Sequence, residues 1–143
     1  MALVCAAAPL AAQAPDAPVV GAFAEEQATR GSAVFGSRCI ECHARPDISS
    51  PDFKLKWNGR TAFDLYERMR TTMPDGNPGT YGPQEYLDVL AYYLKANGLP
   101  SGGVEFTADT SVMARIVLKF GGADVRRAAF HRSYTDRPTP TSR

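Results

Sequence analysis

Cysteine, histidine and tryptophan are scarce in this chain of 143 residues, and their scarcity narrows its chemistry before any pattern is read. Three cysteines (Cys5, Cys39, Cys42), two histidines (His43, His131) and one tryptophan (Trp57) are all it has. A structural zinc site wants four ligands in two pairs, and Cys39, Cys42 and His43 have no second pair to join. A surplus of one charge is lacking too: 16 Lys and Arg against 15 Asp and Glu leave a formal net charge of +1. With no basic stripe interleaved with aromatics, this argues against a nucleic-acid surface. The apolar stretch at residues 1–14 is too short to cross a bilayer, so no stable membrane span is expected. No βαβ unit is visible, which argues against a thioredoxin-like dithiol. What is present, with 44% hydrophobic residues, suits one small globular domain.

The five residues Cys39-Ile40-Glu41-Cys42-His43 carry the chemistry. Two cysteines separated by two residues, with histidine after the second, attach a c-type haem. Each thiol adds to one vinyl group, and the fixed reach between them leaves the next side chain under the iron. His43 then supplies the proximal imidazole. A simple disulfide between Cys39 and Cys42 would leave His43 unexplained.

Residues 1–14, MALVCAAAPLAAQA, have the length and alanine-rich character of the apolar region of a signal peptide, and Ala12-Gln13-Ala14 is an A-x-A site. No Lys or Arg precedes the run and Pro15 follows it, so either the true start lies upstream or cleavage falls elsewhere. Export to the periplasm fits haem attachment, and Cys5 would leave with the signal. As a lipid anchor Cys5 is poorly placed, because the apolar run lies after it.

Residues 15–24 read as a Pro/Ala linker. Glu25 to Arg38 then takes on helical character: Glu25 and Glu26 suit a helix N-terminus, and Ala28, Gly31, Phe35 and Cys39 recur at helical intervals. Gly31 costs about 1 kcal/mol of helix propensity relative to Ala, which points to close approach of another helix. The run from Gly31 to His43 resembles the opening of the class I cytochromes c, with glycine and phenylalanine preceding the haem cysteines at these offsets. The resemblance extends to about residue 105. It implies an all-α fold, three to four core helices around one covalently bound haem c, in a domain spanning residues 25–103 with a C-terminal extension.

A loop is expected over Ala44 to Lys56. In the family, a proline carbonyl here accepts the hydrogen bond from the second nitrogen of the proximal histidine; Pro51 is the better counterpart and Pro46 the alternative. Trp57, Asn58 and Arg60 are candidates for holding a haem propionate, against the plainer reading of Trp57 as core and Arg60 as a solvated charge. Thr61-Ala62-Phe63-Asp64 resembles a capping box opening a helix to about Arg70. That helix must end before Pro74, leaving Met73 in an irregular stretch. Of the four methionines, Met1 is an initiator, Met69 lies in a helical stripe and Met113 lies beyond the resemblance. A Met followed by Pro is the family's usual distal ligand, so Met73 is the expected sixth ligand, a soft thioether that favours ferrous iron.

Tyr81-Gly82-Pro83 starts the next helix, with Tyr86, Val89, Leu90, Tyr93 and Leu94 on its apolar face and Asn97-Gly98 closing it. The resemblance predicts Gly31 and Phe35 packed against Val89 and Tyr92. Residues 104–122 are expected as an additional helix or cover segment, with an amphipathic helix over Asp109 to Phe120. Residues 123–143 read as an arginine-rich flexible tail, in which His131 is a solvated side chain.

Two strong axial ligands leave no open position, so the resemblance implies an electron carrier and not an enzyme. Trp57 to Thr61, the Thr72-Met73-Pro74 loop and Tyr86 to Pro100 together resemble cytochromes associated with quinoprotein (PQQ) alcohol dehydrogenases. This suggests a periplasmic dehydrogenase as donor and a downstream cytochrome or terminal oxidase as acceptor. The alternative is a haem-based sensor or peroxidase-like protein with a labile sixth ligand.

Overall fold

The computed structural model describes residues 23–121. The expected signal peptide, most of the expected linker and the arginine-rich tail with His131 lie outside the described residues. Among the described residues the fold is all-α, with five α-helices, consistent with the expected small cytochrome c fold.

Local chemistry sets the helix boundaries. Helix α1 spans Glu25–Val34 and places Glu25 and Glu26 in its first turn, where negative charge complements the unpaired N–H groups. It runs into a turn of π-helix, Phe35–Cys39, in which the N–H of Ile40 donates to the carbonyl of Phe35 at 3.1 Å. A 3-10 turn follows at Arg45–Ile48. Helix α2, Pro51–Trp57, has proline in its first turn, and the Ser50 hydroxyl accepts from the Phe53 N–H at 3.1 Å. Helix α3, Ala62–Thr72, opens on the expected capping box: Thr61 Oγ1 accepts from the Asp64 N–H (3.1 Å) and the Asp64 carboxylate accepts from the Thr61 N–H (2.8 Å). Those bonds to Thr61 hold the Asp64 carboxyl below its usual range. Helix α4 spans Pro83–Ala96 and ends at Asn97, followed by Gly98 at φ +79°. Helix α5 is short, Thr110–Arg115.

Helices α1 and α4 cross at Gly31. A Cβ on Gly31 would lie 1.8 Å from the carbonyl oxygen of Asp88 and 3.0 Å from Cβ of Tyr92, so only glycine permits this approach. Phe35 packs against Tyr92 in a tilted arrangement at 5.4 Å between ring centroids and meets Tyr93 edge-on at 6.0 Å. The expected partners Phe35 and Tyr92 thus meet, but the α4 residue facing Gly31 is Asp88, not Val89. Asp88 is buried and accepts from both Arg30 (3.0 and 3.1 Å) and Gln84 (2.8 Å), so its charge is paired and hydrogen-bonded across the crossing.

Three expectations need correction. Pro51–Trp57 is a helix, where the whole of residues 44–56 was expected as loop. Phe23 and Ala24, at the end of the expected linker, are buried, and the carbonyl of Phe23 accepts from the Gly102 N–H at 2.7 Å. The helix expected over Asp109 to Phe120 stops at Arg115. From there Ile116, Leu118 and Phe120 are buried while Val117 and Lys119 are exposed, an alternation of period two. Backbone bonds of 2.8 Å link Gly59 and Ala62 N–H to Leu118 and Ile116, and Leu118 N–H to Arg60, pairing this extended strip antiparallel to residues 59–62.

The segment after residue 103 is integral to the core. Phe106, Met113, Ile116, Leu118 and Phe120 are all buried. The Gln27 amide, wholly buried on α1, both donates to the Phe106 carbonyl (3.0 Å) and accepts from its N–H (2.7 Å). That pair satisfies two backbone groups that would otherwise be buried without partners. Among the described residues no helix is long and apolar enough to cross a membrane.

Candidate functional site

The π turn at Phe35–Cys39 delivers the cysteine pair. Phe35 is fully buried and anchors the turn, and the N–H groups of Cys42 and His43 both donate to the carbonyl of Cys39, at 3.1 and 2.9 Å. This tight wrap puts Cys39, Cys42 and His43 on one rim of a cavity. Such one-turn π bulges recur at functional sites. The two thiols are free and not joined as a disulfide. Burial pushes the Cys39 thiol up, against the opposing pull of Arg38.

Met73 closes α3. Its N–H donates to the Met69 carbonyl at 2.9 Å, and its extended backbone (φ −124°, ψ 147°) turns the chain out of the helix toward Pro74. Both Met73 and Pro74 line the same cavity as Cys39, Cys42 and His43. The sequence therefore placed four chemistry-bearing side chains from two distant segments, and the fold brings all four together.

Met69 of α3, Tyr81, and Tyr86, Val89 and Tyr93 of α4 supply the apolar and aromatic part of the remaining wall, and the charged residues Arg38, Asp75 and Glu85 also line it. The cavity is predominantly apolar, with a volume of about 330 Å³, inside the range of about 300–1,000 Å³ typical of cofactor and small-molecule sites. Burial raises the phenol pKa of Tyr93. An apolar slot with two thiols, an imidazole and a thioether at its surface matches the donor set of a covalently held haem. Among the described residues no three His, Cys, Asp or Glu side chains converge as a metal site.

Other predicted residues have different surroundings. Trp57, Asn58, Arg60 and Pro51 are not among the residues lining the cavity. Trp57 is buried against Phe53, with the cations of Lys56 and Arg60 at 5.5 and 5.6 Å from its ring. The Asn58 side chain accepts from the Phe120 N–H at 3.0 Å, and Arg60 donates to the Lys56 carbonyl at 3.2 Å. Pro51 opens α2, and Pro46 lies in the preceding 3-10 turn.

Sequence reasoning did not assign the wall residues to the site, although the signal was there. Tyr86, Val89 and Tyr93 stand at i, i+3 and i+7, one face of α4. Periodicity marks that face as apolar without saying whether it meets a helix or a cavity. The face that meets α1 is another one, carrying Asp88 and Tyr92.

Residues 26–94 match the family model described as cytochrome C oxidase, cbb3-type, subunit III. The matched span contains the cysteine pair, His43, Met73 and the cavity face of α4. The match supports a c-type cytochrome domain, and with it covalently bound haem c, electron transfer and redox protein partners. No curated protein and no solved structure matches the chain.

Proposed function

We propose that the chain is a periplasmic one-electron carrier holding one haem c on Cys39 and Cys42, with His43 and Met73 as axial ligands. What supports the reading is that all four side chains line one apolar cavity. When bound, the haem supplies the one-electron couple. The chain's part is to grip, shield and tune. Cys39 and Cys42 would tether the haem, His43 and Met73 would hold its iron and leave no place for substrate or dioxygen, and the Met69, Val89 and tyrosine wall would exclude water. A thioether donor together with an apolar surround favours the reduced state.

The proposed donor is a periplasmic dehydrogenase, of the PQQ-dependent class by the likeness in residues 57–61, 72–74 and 86–100. The proposed acceptor is a downstream cytochrome or terminal oxidase; the oxidase subunit named by the family model supports the oxidase end of that chain. Redox partners of this kind meet through small interfaces, below about 1,200 Å² in total, which a domain of this size can offer. Trp57 or Arg60 is proposed to reach a propionate, and Pro51 to accept from His43.

Met73→Ala tests the ligand assignment. The variant is expected to lose the weak near-infrared methionine-to-ferric-iron band, to bind carbon monoxide readily, and to drop in potential by on the order of 100 mV, a fraction of the roughly 0.8 V that axial ligands command. A variant with the parent spectrum and potential contradicts the assignment. A parent that is already high-spin and binds carbon monoxide readily favours a sensor or peroxidase-like protein instead.

A further inference from the structure

The Met73 segment is tied to the rest of the fold by one side chain. The carbonyl of Met73 accepts from the Tyr86 hydroxyl at 2.7 Å and from the Gly79 N–H at 3.2 Å. Residues 74–79 contain only turns and bends. Among the described residues no other side chain hydrogen-bonds to residues 73–80. Tyr86 is itself fixed: it is 4% exposed, sits on α4, and packs its ring on Tyr81 at 5.8 Å. Tyr81 lies under the Arg38 guanidinium at 5.1 Å, and Arg38 also bonds Glu85 at 3.1 Å. Because Arg38 precedes Cys39, a continuous line of contacts joins the cysteine pair to the methionine through Tyr81 and Tyr86.

We propose that Tyr86 is a positioning residue for the sixth ligand: its hydroxyl, held on α4, fixes the Met73 backbone and so keeps the thioether turned into the cavity against external ligands. The proposal rests on Met73 being a ligand. The hydroxyl does not change which atoms can bind. It changes how much of the time Met73 stands in the ligating arrangement, and any exogenous ligand must compete with that population. The net worth of one hydrogen bond corresponds to about three- to tenfold in an equilibrium constant.

The test is imidazole binding to the ferric holo-protein, followed through the near-infrared methionine band. Tyr86→Phe keeps the ring and its packing on Tyr81; it is expected to retain the band and to bind imidazole about three- to tenfold more tightly than the parent. Tyr86→Leu, a second variant without the hydroxyl, must move the same way. In a Met73→Ala background nothing is left to position, so adding Tyr86→Phe is expected to leave imidazole affinity within about twofold. A Tyr86→Phe or Tyr86→Leu protein that shows the band and binds imidazole like the parent overturns the positioning role and leaves the ligand assignment standing. An equal gain in the Met73→Ala background also overturns it, since the tyrosine would then act only on general stability. A parent without the band overturns the ligand assignment and this proposal together.

Discussion

Replacing Cys39 and Cys42 together by Ala is expected to give a colourless chain that does not fold cooperatively. The cavity bounded by these residues has a volume of about 330 Å³. At about 24 cal/mol per Å³ of unfilled apolar cavity, leaving it empty costs up to about 8 kcal/mol. That is an upper bound, because the cavity is open and its walls can collapse or admit water. It still rivals the whole stability of an ordinary domain, about 5–15 kcal/mol. Tyr86, Tyr93, Met69 and Met73 all line that cavity. Thermal melts followed by circular dichroism check the outcome. A double variant that is colourless yet unfolds in one sharp transition near the parent temperature contradicts the view that these helices are built around a filled cavity.

Gly31→Ala is the second large effect, and it acts far from the thiols. An added Cβ would sit 1.8 Å from the Asp88 carbonyl oxygen and 2.4 Å from its carbonyl carbon. Those atoms belong to the backbone of α4, so no flexible side chain can swing aside, and the two helices must separate. Ala gains about 1 kcal/mol of helix propensity over Gly, but overpacking costs about 1–3 kcal/mol and more when backbone must move. The clash wins here, because separation also disturbs the Arg30–Asp88 bonds and the Phe35–Tyr92 contact. The expected net loss is about 3 kcal/mol, or roughly 10–20 °C in Tm for a domain of this size. A Gly31→Ala holo-protein melting within a degree or two of the parent contradicts the tight crossing.

The features legible in the sequence are those in which chemistry or sterics leaves little choice. The spacing of Cys39, Cys42 and His43 is set by covalent reach, Met73 is released from its helix by Pro74, and Gly31 announces a close approach; in the structure the four ligand candidates share one cavity and Gly31 meets α4. The features that escaped depend on tertiary context. Pro51 and Pro46 suggested a loop, whereas Pro51 is the first residue of α2, a position where its missing N–H costs nothing. Met113, Ile116, Val117 and Phe120 fit a helical spacing, yet the burial of Leu118 between exposed Val117 and Lys119 shows a strand-like alternation from residue 116 onward. Backbone pairing with residues 59–62 decides that conformation, and no local propensity reveals it. Likewise, Asn58 reads as a ligand-binding amide in sequence but caps the Phe120 N–H in the fold.

The central claim is a covalent one, and denaturation tests it most directly. The protein is made in a host able to attach haem, unfolded in acid or guanidinium, and freed of small molecules before its absorption spectrum and intact mass are recorded. The account predicts one iron porphyrin retained per chain, lost only when Cys39 and Cys42 are both removed. A chain that emerges colourless, at the mass of the polypeptide alone, contradicts it.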